Sequence, residues 1–323
     1  MRDGLGRAID YLRLSVTGAC NLRCVYCRPA AGAGEGGSGG VADAAAGAPL
    51  PADELVRIAA AFARLGVRKV RITGGEPLVR SDVVDIVARL RAIPGVDELA
   101  LTTNGTLLAP LAAPLRAAGL DRVNVSLDTL DPARYGRITR GGRLDDALAG
   151  LAALDAAGFA GTKVNCVLVG GMNDDEVPAL AGIAREHPVD VRFIELMPVG
   201  PAAGWPKGRF VPAEAVLEAV PELAPAGSDG VAEVYTAPGW AGRVGLIRPL
   251  SRPFCASCSR VRVTADGNLK TCLAAAEEVP LAGLADPELE RAILGAVERK
   301  PARHIMDAAH ASMSPRGMET IGG

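Results

Sequence analysis

Tyr11-Leu12-Arg13-Leu14-Ser15-Val16, followed by Cys20-Asn21-Leu22-Arg23-Cys24-Val25-Tyr26-Cys27, is the stretch on which the reading of this chain turns. Apolar and polar residues alternate through the first part, as in a strand, and the second part is a loop with three thiols spaced C-x3-C-x2-C. Such a loop can aim three thiolates at one inorganic centre, yet it stays one ligand short of a closed structural site. On a four-iron, four-sulfur cube, three cysteines would hold three irons and leave the last open to a small molecule. Half of a zinc site completed elsewhere, or a redox pair with a spare thiol, would draw on the same residues.

Outward from that loop the pattern becomes regular. Pro51 or Asp53 opens a predicted helix over 53–65, Gly66 closes it, and 69–73 is a strand. Further strands are predicted at 98–103, 122–127, 161–169 and 190–196, with helices at 82–92, 107–118, 144–157 and 174–186 between them. Six strands alternating with helices predict a parallel sheet with right-handed crossovers, an incomplete (β/α)6 TIM-like barrel. Ligands of such barrels sit at the C-terminal strand ends, and four of these ends are polar: Thr73-Gly74-Gly75-Glu76-Pro77, Thr102-Thr103-Asn104-Gly105, Ser126-Leu127-Asp128 and Glu195-Leu196-Met197-Pro198. The Gly/Ala-rich segment 30–51 reads as a surface loop. Beyond Pro198 the rhythm stops, so residues 1–198 are read as the barrel and 199–323 as a C-terminal α+β extension.

That extension carries a second cysteine group, Cys255, Cys258 and Cys272. The run from Arg260 to Lys270 reads as a hairpin turning at Asp266-Gly267, which would return Cys272 beside Cys258. Arg260 and Arg262 alternate and so share a face next to the thiols. The alternatives here are a zinc knuckle with His304 as fourth ligand, or His304 as an ordinary surface histidine. Cys166, alone in an apolar run, reads as a small core residue. A net charge of −2 gives no field that favours nucleic acid, the N-terminus has no apolar leader, and no segment offers 18 uncharged apolar residues. The expectation is a cytoplasmic protein without membrane or nucleic-acid partners, in which grouped cysteines mean metal.

With an aromatic, Tyr26, before its third cysteine, the N-terminal loop resembles the signature of the radical S-adenosylmethionine (SAM) enzymes, in which SAM chelates the open iron. Gly74-Gly75-Glu76-Pro77 resembles their "GGEP" motif, whose backbone contacts the SAM amino group. A narrower resemblance, to the GTP 3′,8-cyclases (molybdenum cofactor biosynthesis protein A family), covers nearly the whole chain. It is carried by Leu14-Ser15-Val16-Thr17, Arg71-Ile72-Thr73-Gly74-Gly75-Glu76-Pro77, Thr102-Thr103-Asn104-Gly105, Asn124-Val125-Ser126-Leu127-Asp128 and Phe193-Ile194-Glu195-Leu196-Met197. The resemblance implies two [4Fe-4S] clusters, on Cys20, Cys24 and Cys27 and on Cys255, Cys258 and Cys272. It places SAM on Tyr26, Gly75, Ser126 and Met197, and GTP on Arg13, Arg71, Thr102, Lys163, Arg260 and Arg262. It also implies a C-terminal Gly322-Gly323 that reaches into the active site for turnover. The implied activity is radical cyclisation of GTP, served by a flavodoxin- or ferredoxin-type reductant in a homodimer that hands its product to cyclic pyranopterin monophosphate synthase. Gly18-Ala19 stand where the family carries Asp-Arg, and Arg28 where it carries Met. Two rival readings are a radical SAM peptide-modifying enzyme with an auxiliary cluster and a non-enzymatic iron–sulfur or zinc protein.

Overall fold

The computed structural model describes residues 1–29, 49–307 and 310–322, so most of the expected loop at 30–51, and Gly323, lie outside the described residues. Six strands follow one another in parallel: β1 (Tyr11–Ser15), β2 (Lys69–Thr73), β3 (Glu98–Thr103), β4 (Arg122–Ser126), β5 (Lys163–Leu168) and β6 (Asp190–Glu195). The crossovers carry α1 (Ala52–Arg64), α2 (Val83–Arg91), α3 (Ala112–Ala117), α4 (Pro132–Thr139) with α5 (Leu144–Ala156), and α6 (Val177–Glu186). In α1, Leu55, Ile58, Ala59 and Phe62 recur at helical spacing and are buried, while Asp53 and Glu54 in the first turn and Arg64 in the last complement the helix dipole.

The chain after residue 198 joins the same sheet at both edges. It supplies α7 (Ala215–Ala219), β7 (Ala224–Asp229), β8 (Ala232–Thr236), β9 (Arg243–Ile247), β10 (Arg260–Val263), β11 (Asn268–Lys270), β12 (Val279–Pro280), α8 (Asp286–Glu298) and α9 (Met318–Ile321). The strand order is β12-β11-β10-β1-β2-β3-β4-β5-β6-β9-β8-β7, with β10 parallel to β1, β9 parallel to β6, and antiparallel hairpins outside them. The hairpin expected at Asp266-Gly267 is the β10–β11 pair.

Alternation divides the sheet into two unlike faces. Leu12, Leu14, Val70, Ile72, Leu99, Leu101, Val123 and Val125 pack under the helices in one core, and Val164, Cys166, Leu168, Val191, Phe193, Val244 and Leu246 in a second. At about 2 kcal/mol for each large apolar side chain removed from water, this face drives the fold. The intervening residues, Arg13, Arg71, Arg122, Asn124, Lys163 and Arg192 among them, therefore turn to the opposite face.

Two local expectations differ. The helix read at 107–118 is only α3, because Pro110 disfavours helical backbone at Ala109. The helix α4 was not anticipated, although Asp131 accepting from Arg134 N at 2.5 Å, with Pro132 at the first helical position, is a legible start signal. No helix among the described residues is long and apolar enough to cross a membrane.

Candidate active site

The N-terminal cysteine loop leaves the C-terminal end of β1 and is tied down on two sides. Gly75 N donates to Thr17 O and Glu76 N to Ala19 O, both at 2.8 Å. A Cβ on Gly75 would lie 2.7 Å from Gly18 O, so this close approach requires glycine. On the other side, Arg23 N donates to Thr139 O (3.0 Å) and Val25 N to Ile138 O (2.9 Å), docking the loop on the end of α4. Arg140, the single non-glycine with positive φ (55°) among the described residues, turns its guanidinium onto Arg28 O at 2.9 Å. The two departures from the family pattern meet here, because the buried Arg28 donates to Gly18 O.

Carboxylates brace the loop from below. Glu76 accepts from Leu78 N (3.0 Å), Thr103 Oγ1 (2.8 Å) and Asn104 N (2.7 Å), and burial, partly opposed by these donors, pushes its pKa up to about 7. Asp128 accepts from Tyr26 Oη (2.6 Å) and Val167 N (2.9 Å), and burial raises it to about 6. Burial first, with Asp128 next at Cys24 and Glu319 next at Cys27, pushes both thiols up. Ser126 ends β4, Met197 follows β6, and Tyr26 packs against the buried cluster of Val169, Leu196 and Ala202.

On the polar face of the sheet, register places Arg71 opposite Arg13 and Arg13 opposite Arg262. Adjacent strands thus carry like charges in one row on the same face, and these repel one another. Arg71 reaches Tyr11 Oη, Leu101 O and Thr102 Oγ1, all neutral, and Arg262 reaches Gly322 O. Burial first, then Arg260, pulls Arg262 down to about 10, still charged at neutral pH. Lys163 differs. It is 3% exposed and held by Asp190 (3.2 Å) and Asp229.

Because β10 runs parallel to β1 with Arg260 opposite Tyr11, Cys258 just before β10 and Cys20 just after β1 lie at opposite ends of the strand pair. Lys300 Nζ donates to both Arg260 O (2.9 Å) and Thr271 O, tying the approaches to Cys258 and Cys272 together. His304 is no ordinary surface histidine: its Nε2 meets Pro249 O at 3.0 Å and its ring lowers the neighbouring Cys255 pKa. Burial pushes Cys258 up, but Lys300 and Arg260 outweigh it and leave the thiol low. No three His, Cys, Asp or Glu side chains among the described residues gather tightly enough for a single metal ion.

The chain's end enters between the two groups. Gly322, at φ 80°, puts its carbonyl on Arg262, and a Cβ there would overlap Thr73 Oγ1 and lie 3.5 Å from Ser15 Cβ. Glu319 Oε2 reaches Cys27 Sγ at 3.9 Å.

Residues 14–183 match the model of the radical SAM superfamily, and residues 189–306 match that of the molybdenum cofactor synthesis C-terminal domain. The GTP 3′,8-cyclase of Alkaliphilus metalliredigens is 42% identical over 100% of both chains, and that of Pelotomaculum thermopropionicum is 44% identical over 100% of both. The chain belongs to the GTP 3′,8-cyclase family of radical SAM enzymes. Among solved structures, SuiB of Streptococcus suis bound to S-adenosylmethionine shares the mixed α/β fold at TM-score 0.60 and 16% identity. That likeness covers 83% of this chain and about three-fifths (61%) of the SuiB chain.

Membership in the family brings an iron–sulfur cluster and SAM, and the N-terminal loop fits them. Cys20, Cys24 and Cys27 are free thiols on a loop whose backbone is already fixed by Gly75, Ile138 and Thr139. The sequence reading missed Arg192, Asp229 and the tie from Arg140. Arg192 and Asp229 carry a weak signal, since a charged residue in a strand reads equally well as solvent-facing. Arg140 carries none, because its left-handed turn is not written in its residue type.

Proposed function

We propose that the protein converts GTP to (8S)-3′,8-cyclo-7,8-dihydroguanosine 5′-triphosphate, the first step of molybdenum cofactor biosynthesis. The observation that carries this reading is the pair of three-cysteine groups at opposite ends of one arginine-lined sheet face, in a chain of this family. An N-terminal cluster with SAM bound would supply radical chemistry to a substrate held beside it. Cys20, Cys24 and Cys27 hold that cluster, and Tyr26, Gly75, Ser126 and Met197 seat SAM across the C-terminal strand ends. Arg13, Arg71, Thr102, Lys163, Arg260 and Arg262 bind GTP, whose triphosphate relieves the repulsion within the arginine row. Cys255, Cys258 and Cys272 would hold a second [4Fe-4S] cluster, which would offer the guanine end a site. Gly322, with its carbonyl on Arg262, closes the space between the two and excludes water, while a role for Gly323 rests on the family resemblance. Fixing both reactants on one rigid face is the protein's main contribution to rate.

The sheet belongs to an incomplete (β/α)6 barrel of residues 1–198, extended by residues 199–323. Ser312 N donating to Pro198 O (2.9 Å) and Met313 N to Ala274 O (3.0 Å) support a tail drawn across its open side. Exposed Arg137, Arg140 and Arg143, beside the N-terminal cysteine loop, suit an acidic flavodoxin- or ferredoxin-type donor. The homodimer and the hand-off to cyclic pyranopterin monophosphate synthase rest on the family resemblance, and light scattering tests the first.

The deciding assay combines anaerobically reconstituted protein, dithionite, SAM and GTP, followed by chromatography. Deoxyadenosine and a cyclised nucleotide are expected. Absence of deoxyadenosine removes the whole reaction class, and deoxyadenosine without GTP consumption favours a peptide substrate.

A further inference from the structure

The β7–β8 hairpin is an edge element, and β7 is exposed along most of its length. In a flat sheet, four strand spacings, about 19 Å, would separate β7 from β5. Yet Asp229, at the end of β7, forms an ion pair with Lys163 on β5 and accepts from Arg192 on β6 at 2.5 Å, with Arg243 at 4.0 Å. The hairpin must therefore curl over the polar face and lower its tip onto Lys163 and Arg192. Gly227 and Gly230, at φ 99° and 64°, flank the tip. Lys163 and Arg192 are 3% and 9% exposed, and two buried cations without a counter-charge would be costly.

We propose that the Asp229 carboxylate is a built-in stand-in for a substrate phosphate: it neutralises Lys163 and Arg192 until the triphosphate of GTP arrives and displaces it. This rests on the GTP reading and adds a gate to it. A triphosphate carries several negative charges against one on Asp229, so it wins the competition but must first expel the tip. Asp190 also pairs with Lys163, at 3.2 Å, but it is not the displaceable group, because it sits in β6 itself and is held by Arg243 at 2.8 Å. A tip seated nine-tenths of the time raises the apparent Kd for GTP about tenfold.

The test is calorimetry of GTP binding to reconstituted wild-type protein and Asp229→Asn. The variant is expected to bind GTP several-fold more tightly, with KM lowered and kcat little changed. Equal or weaker binding in a variant that melts like the wild type overturns the proposal. Should Asp229→Asn not fold, hydrogen exchange on the wild type serves instead. Added GTP is expected to deprotect amides 228–233, and unchanged protection with GTP bound overturns the gate. Wild-type protein that fails to bind GTP at all sinks the functional reading itself, a separate result.

Discussion

At the N-terminal cysteine loop the acidic neighbours are Glu76, Asp128 and Glu319, with Arg28 as counterweight, whereas the C-terminal group is surrounded by Lys300, Arg260 and His304. Burial raises the first set of thiols, whereas a hydrogen bond with His304 lowers Cys255, and Lys300 and Arg260 lower Cys258. The same donor chemistry is thus placed in opposite fields. A negative surround resists an added electron and so keeps an iron centre strongly reducing. A positive surround favours thiolate, and it also draws in a polyanionic nucleotide.

The sharpest way to break this contrast is to remove one thiol from each group. Cys24→Ala is expected to abolish deoxyadenosine formation, by about a thousandfold or more. Cys258→Ala should keep SAM cleavage within about tenfold of wild type while losing the cyclised nucleotide; equal loss of both products in the two variants would mean the groups do not divide the work. Next in size is Arg262→Ala, which removes a buried charge-assisted donor and should weaken GTP binding about a hundredfold, measured by calorimetry, with SAM affinity unchanged. Gly322→Ala pushes a methyl into Thr73 and should lower kcat about tenfold at constant SAM affinity.

The smallest effect is read on apoprotein by alkylation and mass spectrometry. Cys255 and Cys258 are expected to react several-fold faster than Cys24 and Cys27 at pH 7. The sign follows from the shifts: a lowered thiol pKa leaves more thiolate at pH 7, and the advantage fades once the pH is high enough to ionise all four. Lys300→Met should slow Cys258 in particular. Reversed rates would contradict the electrostatic contrast.

Much of this was written plainly in the sequence. Strand positions such as Lys69–Thr73 and Asp190–Glu195 follow from apolar alternation, which also puts Arg13, Arg71 and Arg262 on one face. What alternation cannot convey is register between distant strands. That Arg13 lies opposite Arg262, and that Asp229 reaches Lys163 from an edge hairpin, depends on where β10 and β7 attach to the sheet. Helix α4 was legible in Asp131-Pro132, but its grip on the cysteine loop was not, because that runs through backbone carbonyls at Ile138 and Thr139.

One consequence concerns synthesis. β1 is made long before one of its two neighbours, β10, and before the carbonyls of Cys255, Lys300, Pro301 and Ala302 that Arg7 clasps. At usual elongation rates this leaves β1 with a bare edge for some tens of seconds. Ribosome-bound chains stopped before residue 260 are therefore expected to be nicked by protease near residues 1–15, and the released full chain to resist.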